Sequence, residues 1–183
     1  MHDQTPAAKP FEFRGINHLA LVCKDMARTV EFYRDILGMD LIKTIDLPQG
    51  SGQHFFFDAG NGDALAFFWF PDAPVSQPGI THPAHRLGRG PLTTAHASMN
   101  HVAFNVPLEQ IHSYQQKLEA AGIEVTPVIH HDASPHQASL EHTDSTFVKS
   151  IYFQDPDGIM LEFAAWTRSL NEDDVNVAPM STQ

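Results

Sequence analysis

Apolar and polar residues alternate with period two from His18 to Cys23, placing His18, Ala20 and Val22 on one face and Leu19, Leu21 and Cys23 on the other. The period then lengthens. Met26, Val30, Tyr33 and Leu37 recur at helical spacing behind Asp25, a favourable N-cap, and Gly38 closes the helix. Strands are predicted next over Met39 to Ile45, His54 to Asp58 and Ala64 to Phe70, with Ala59-Gly60-Asn61-Gly62-Asp63 as the turn between the last two. The second half has the same order. A strand from His101 to Val106 precedes a helix with Leu108, Ile111, Gln115 and Leu118 on one stripe, closed by Gly122. Strands follow over Ile123 to His130, Phe147 to Phe153 and Ile159 to Trp166, the last two joined at Asp155-Pro156-Asp157-Gly158.

The order repeats because the sequence does. Ile16-Asn17-His18-Leu19-Ala20-Leu21 returns as Met99-Asn100-His101-Val102-Ala103-Phe104, the mark of two copies of one supersecondary unit. A single strand-helix-strand-strand-strand unit cannot bury both faces of its sheet. The expected fold is therefore α+β, with two βαβββ modules paired into a curved mixed sheet that encloses a metal-centred cavity, helices on the convex side. The modules are placed at 13–70 and 99–167, between a flexible N-terminal tail (1–12) and a polar C-terminal tail (168–183). The Pro/Gly-rich connecting loop, 71–98, is longer than connections usually are, which suits a lid or a subunit contact.

Composition narrows the classes. The formal charge of −11 excludes nucleic acid and anionic membrane as expected partners, since both call for basic patches. A single cysteine, Cys23, allows no intramolecular disulfide and suits a reducing cytoplasm. Met1-His2-Asp3-Gln4-Thr5-Pro6 lacks the regions of a signal peptide, so the expected location is cytoplasmic.

Of the twelve histidines, most fall in loops, where a solvated role is the default. His18 and His101 differ, because the repeat puts them at the same point of the same strand. Glu162 is an acid inside the apolar strand Leu161-Glu162-Phe163-Ala164, costly to bury without a partner. Aligning Gly158 with Gly62 sets Ala66 opposite Glu162, so the acid is present in one copy only. Two imidazoles and one carboxylate are the ligand set of mononuclear Fe(II) sites with open positions; Mn(II) and Zn(II) accept the same donors. Phe55, Phe57, Phe67, Trp69 and Trp166 are available as aromatic walls or as core, and alternation turns only half of the strand positions inward.

The paired units, the Asn-His-hydrophobic-Ala strand starts and the closing Tyr152-Phe153-Gln154-Asp155-Pro156-Asp157-Gly158-Ile159-Met160-Leu161-Glu162 resemble the vicinal oxygen chelate superfamily of glyoxalases, bleomycin resistance proteins and extradiol dioxygenases. The resemblance spans about 14 to 167. It implies a divalent metal, Fe(II) first and Mn(II) or Zn(II) otherwise, a small-molecule substrate, and a homodimer. Glyoxalase I and methylmalonyl-CoA epimerase take a ligand from each of four equivalent strands, and Ala66 breaks that pattern. Extradiol dioxygenases use His, His, Glu in the order of His18, His101 and Glu162.

The extradiol pattern further implies roles for Tyr152 beside the substrate, for an upstream second-sphere histidine with His142 nearest, and for an acid–base histidine before the second ligand, with His85 nearest and His82 and His96 as alternates. Tyr152 as a packing aromatic and His142 as a surface residue are the plain alternatives. The expected activity is Fe(II)-dependent extradiol-type dioxygenation of a small aromatic vicinal diol. Two other readings stay open: a Mn- or Zn-dependent glyoxalase-type lyase or isomerase or a fosfomycin-type thiol transferase, and a metal-free protein that sequesters a drug or metabolite.

Overall fold

The computed structural model describes residues 10–181, so the expected N-terminal tail lies largely outside the described residues, as does the very end of the C-terminal one. The chain divides into two compact units, 1–73 and 74–183.

The first unit runs β1 (His18–Cys23), α1 (Met26–Val30), β2 (Leu41–Asp46), β3 (Gln53–Gly60) and β4 (Asp63–Trp69). Its sheet has the order β1-β4-β3-β2, with β1 parallel to β4 and the other pairs antiparallel. Asp25 caps α1 as expected, its carboxylate accepting from the Arg28 amide at 3.2 Å. The helix does not continue as a regular α-helix to Gly38. It widens into a π-helical turn over Glu31–Ile36. Phe32 and Tyr33, neighbours in sequence, are both buried there, and a widened turn lets two consecutive aromatics share the core side. They pack with Phe57, Phe67 and Leu65 between helix and sheet.

The second unit runs β5 (Val102–Asn105), α2 (Ile111–Ala120), β6 (Ile129–His131), β7 (Ala138–Ser139), β8 (Val148–Gln154) and β9 (Met160–Trp166). Its order, β5-β9-β8-β6-β7, repeats the first with one short strand added, and β5 is again parallel to the last long strand. The α+β class and the βαβββ repeat expected from the sequence are thus present. One strand differs: of the stretch expected from Ile123 to His130, only Ile129 and His130 fall in a regular strand. Pro127, without an N–H to give a ladder, interrupts it. The preceding residues still follow β8, through an isolated bridge from Val125 to Phe153 and through Thr126, whose N–H donates to Tyr152 O and whose hydroxyl accepts from Tyr152 N.

Much of the connecting loop is fastened to the second unit. Arg86 donates to Gln154 Oε1 and pairs with Glu124, Arg89 pairs with the same carboxylate, and His82 is buried against Gly158. The C-terminal tail also has local order: Asn171 caps a short turn over Glu172–Asp174, and Arg168 pairs with Asp174, whose pKa falls to about 2 chiefly through that hydrogen bond. No helix among the described residues is long and apolar enough to cross a membrane.

Candidate metal centre

Glu162 lies on β9 between two strands, opposite Ala103 of β5 and Tyr152 of β8. Its side chain is buried, with the residue only 5% exposed. Burial by itself would push the carboxyl pKa up. The hydrogen bond from His101 and the hydroxyls of Ser150 and Tyr152 outweigh it and hold the group below the usual glutamate range, ionised. His101 enters just ahead of β5, and its Nε2 stands 3.1 Å from Glu162 Oε2. Its Nδ1 faces Asn100 Oδ1 at 2.8 Å. Ser150 is fully buried near the carboxylate, although its Oγ makes no hydrogen bond of strict geometry.

Tyr152 shares the face of Glu162. Burial, and then the adjacent carboxylate, push the phenol pKa well above its ordinary value, so the hydroxyl keeps its proton. His131 Nε2 lies 3.0 Å from Tyr152 Oη. The register turns His131, Val148 and Trp166 to this face, with Ser150 between Val148 and Tyr152. Ser150 is small, which leaves a gap that the tyrosine and histidine side chains cross.

Sequence reasoning missed His131. The signal was present: in the doublet His130-His131, consecutive strand residues point to opposite faces, and only one of them can accompany Tyr152. His130 takes the other face, buried, and His142 stands beside it, with ring centroids 5.9 Å apart. His142 is therefore corrected: the histidine against Tyr152 is His131. His85 is exposed and lies over Gly90 within its own loop, while His82 is buried at the Gly158 turn and His96 is exposed.

The first unit repeats the frame with different contents. His18 starts β1, and its Nδ1 faces Asn17 Oδ1 at 2.8 Å, the same distance as in the second copy. Ala20 pairs with Ala66 as Ala103 pairs with Glu162, so the ladder makes Ala66 the counterpart of Glu162. Phe56 pairs with Ala66 as Tyr152 pairs with Glu162. Where the second unit carries an acid and a phenol, the first carries a methyl group and a phenyl ring.

The register divides the aromatic positions between core and open face. Phe55, Phe57, Phe67 and Trp69 occupy the helix-facing side of the first sheet together with Leu21 and Cys23. The rings on the face of His18 are Phe56, in edge contact with it at 5.6 Å, then His54 stacked on Phe68 at 3.6 Å, and Phe70 stacked on Phe68. Burial, and then the charge of His18, lower the His54 pKa, and its Nε2 is buried without a hydrogen-bond partner. Trp166 does lie on the Glu162 face of the second sheet, exposed.

Donor chemistry fits a divalent metal. In both copies the asparagine engages Nδ1, the usual outer-shell arrangement for a ligating imidazole, so Nε2, which in the second copy meets Glu162, is the nitrogen a metal would take. Neither unit by itself gathers three His, Cys, Asp or Glu side chains into a metal-binding cluster among the described residues. The second unit brings His101 and Glu162 together, and His18 belongs to the first.

Comparison with known proteins agrees with this frame. The chain is 26% identical over 113 residues to "Putative ring-cleaving dioxygenase MhqE" of Bacillus subtilis, covering 60% of this chain and 32% of that protein. It therefore spans about a third of that relative's length. "Glyoxylase I 4" of Arabidopsis thaliana is 23% identical over 174 residues, 95% of this chain and 80% of its own. The crystal structure of a glyoxalase/dioxygenase from Nostoc punctiforme superposes with a TM-score of 0.59 at 20% identity, covering 88% of this chain and 97% of that one. Residues 15–163 match the family profile, and with the repeated βαβββ topology this places the chain in the Glyoxalase/Bleomycin resistance protein/Dioxygenase superfamily.

Proposed function

We propose that the chain is a metal-dependent enzyme, an Fe(II)-dependent extradiol-type dioxygenase acting on a small aromatic vicinal diol, with His18, His101 and Glu162 as metal ligands. Members of the superfamily generally bind a divalent metal and act on small molecules. The observation that carries the reading is the difference between the copies at one register position, Glu162 against Ala66. Three donors, two neutral and one anionic, leave coordination positions for substrate oxygens. When bound, the metal supplies Lewis acidity and a route for electrons between substrate and dioxygen.

The chain's own residues do the rest. Glu162 remains ionised as the anionic donor. Tyr152 keeps its proton at Oη and, when substrate binds, turns that hydrogen from Glu162 to a substrate oxygen. His131 Nε2, 3.0 Å behind that hydroxyl, holds or returns a proton as the substrate charge changes. The rings beside His18 favour a flat, apolar substrate. The reading takes the enzyme as a cytoplasmic homodimer, on its single cysteine and on the dimerisation frequent in the superfamily.

Fe(II)-loaded protein, prepared anaerobically and given a panel of catechols with air, should consume dioxygen and form a coloured ring-cleavage product. Iron-loaded protein that consumes no dioxygen with any catechol would overturn this activity. One observation favours a second reading, a glyoxalase-type lyase or isomerase: the similarity to the Arabidopsis relative runs over 95% of the chain. Turnover of a glutathione hemithioacetal with Mn(II) or Zn(II) would select it.

A further inference from the structure

An imidazole binds a metal through one nitrogen, and the partner of the other nitrogen decides which one is free. At His101 that partner is the Asn100 side chain, 2.8 Å from Nδ1. An asparagine amide has an acceptor end and a donor end, and turning it over would favour the opposite tautomer. A third group settles its orientation. The main-chain carbonyl of Leu92 lies 2.6 Å from Asn100 Nδ2. A carbonyl can only accept, so the amide nitrogen faces Leu92 and the amide oxygen faces His101. Nδ1 then carries a hydrogen for the amide oxygen, and Nε2, which donates to Glu162 3.1 Å away, is the nitrogen whose hydrogen a metal would replace.

Leu92 belongs to the loop between the repeats, the same segment that Arg86 and Arg89 fasten through Gln154 and Glu124. We propose that Leu92 and Asn100 form an orienting relay that fixes the ring and the tautomer of His101, making the connecting loop part of the metal-binding apparatus. Asn100 is a positioning residue in this arrangement, since it acts through His101. The inference rests on the reading of His101 as a metal donor. It assigns the long loop a task that neither a lid nor a subunit contact would require.

The test uses the full chain, stripped of metal and titrated with Zn(II) against a chromophoric chelator. Asn100→Leu should weaken Zn(II) binding by about 10–100-fold, the usual effect of losing an outer-shell partner. Asn100→Asp keeps an acceptor for Nδ1–H but loses the donor to the Leu92 carbonyl, so its Zn(II) affinity should fall between those of the parent chain and Asn100→Ala; affinity equal to the parent's would remove Leu92 from the relay. Asn100→Ala removes the same oxygen without adding bulk, so the relay remains testable if the leucine variant fails to fold. In Zn(II)-loaded protein with ¹⁵N-labelled histidine, the His101 ring should carry its hydrogen on Nδ1 with Nε2 turned to the metal, and lose that preference in Asn100→Ala. Unchanged affinity and unchanged ring signals in Asn100→Ala would overturn the relay. His101→Ala separates the two ideas. If it leaves Zn(II) affinity intact, the metal reading itself fails; if it abolishes binding while Asn100→Ala binds Zn(II) as tightly as the parent chain, only the relay fails.

Discussion

Glu162 keeps its charge in a place where burial alone would neutralise it, because His101, Ser150 and Tyr152 all favour the ionised form. Tyr152 is bound to the same group in the opposite sense: the charge it helps to hold makes its own proton harder to remove. Replacing Tyr152 by Phe should be tolerated structurally, since Phe56 occupies the matching position of the first unit. We expect a stability loss of about 1 kcal/mol for the missing hydrogen bonds, metal content unchanged, and kcat reduced by roughly 10²-fold through loss of the proton donor. Steady-state kinetics beside a metal assay check this, and unchanged kcat would remove Tyr152 from the mechanism.

His130 makes a different prediction. Its pKa is lowered by burial and then by Lys149, His142 and His112, with Asp132 only partly opposing them. The folded state thus binds a proton less readily than the unfolded chain, whose histidines titrate near 6.5. As pH falls through that value the unfolded state takes up the proton first, so stability declines until the folded pKa is passed. His130→Leu should flatten the decline measured by urea unfolding between about pH 6.5 and 5. An equally steep decline in the variant would mean that His130 does not carry it.

At the level of elements, the repeat was legible because strand period, cap and closing glycine recur in both halves. The ladder pairing decides what the pattern leaves open. Phe55 and Phe56 stand on opposite faces, and a slip of one residue would exchange them; only the pairing of Phe56 with Ala66 decides the matter. The same ambiguity hid His131 beside His130. Pro127 was visible in the sequence, but its effect on the strand depended on which neighbour needed its N–H. The π-helical turn after α1 had no local signature beyond the adjacent Phe32 and Tyr33.

The turn before β9 gives a quantitative check on the docked loop. Gly158 has φ +87°, and a Cβ there would lie 3.1 Å from His82 Nε2. Gly122 has φ +77° with open space around it. Gly122→Ala should cost about 1 kcal/mol, the left-handed backbone alone. Gly158→Ala should cost more, about 2–3 kcal/mol, because the loop carrying His82 must also move. Denaturant unfolding of the two variants measures the difference, and equal losses would show that the loop is not seated against the turn.

On the scale of the molecule, two copies of one unit provide the frame, and their departures from each other provide the chemistry. Asn17-His18 and Asn100-His101 are equivalent in sequence and in geometry. Ala66 and Glu162 are equivalent in register alone. That contrast is legible in the sequence, because the turn glycines Gly62 and Gly158 align the two strands. The partners that keep Glu162 ionised are not, because Ser150, Tyr152 and His101 come to it from other strands through the sheet register. Metal content of freshly purified chain, measured by elemental analysis beside His18→Ala, His101→Ala and Glu162→Ala, decides whether these three side chains hold a metal. The parent protein should carry about one divalent metal per chain, and each variant should lose it. Full metal content in Glu162→Ala would contradict this ligand set.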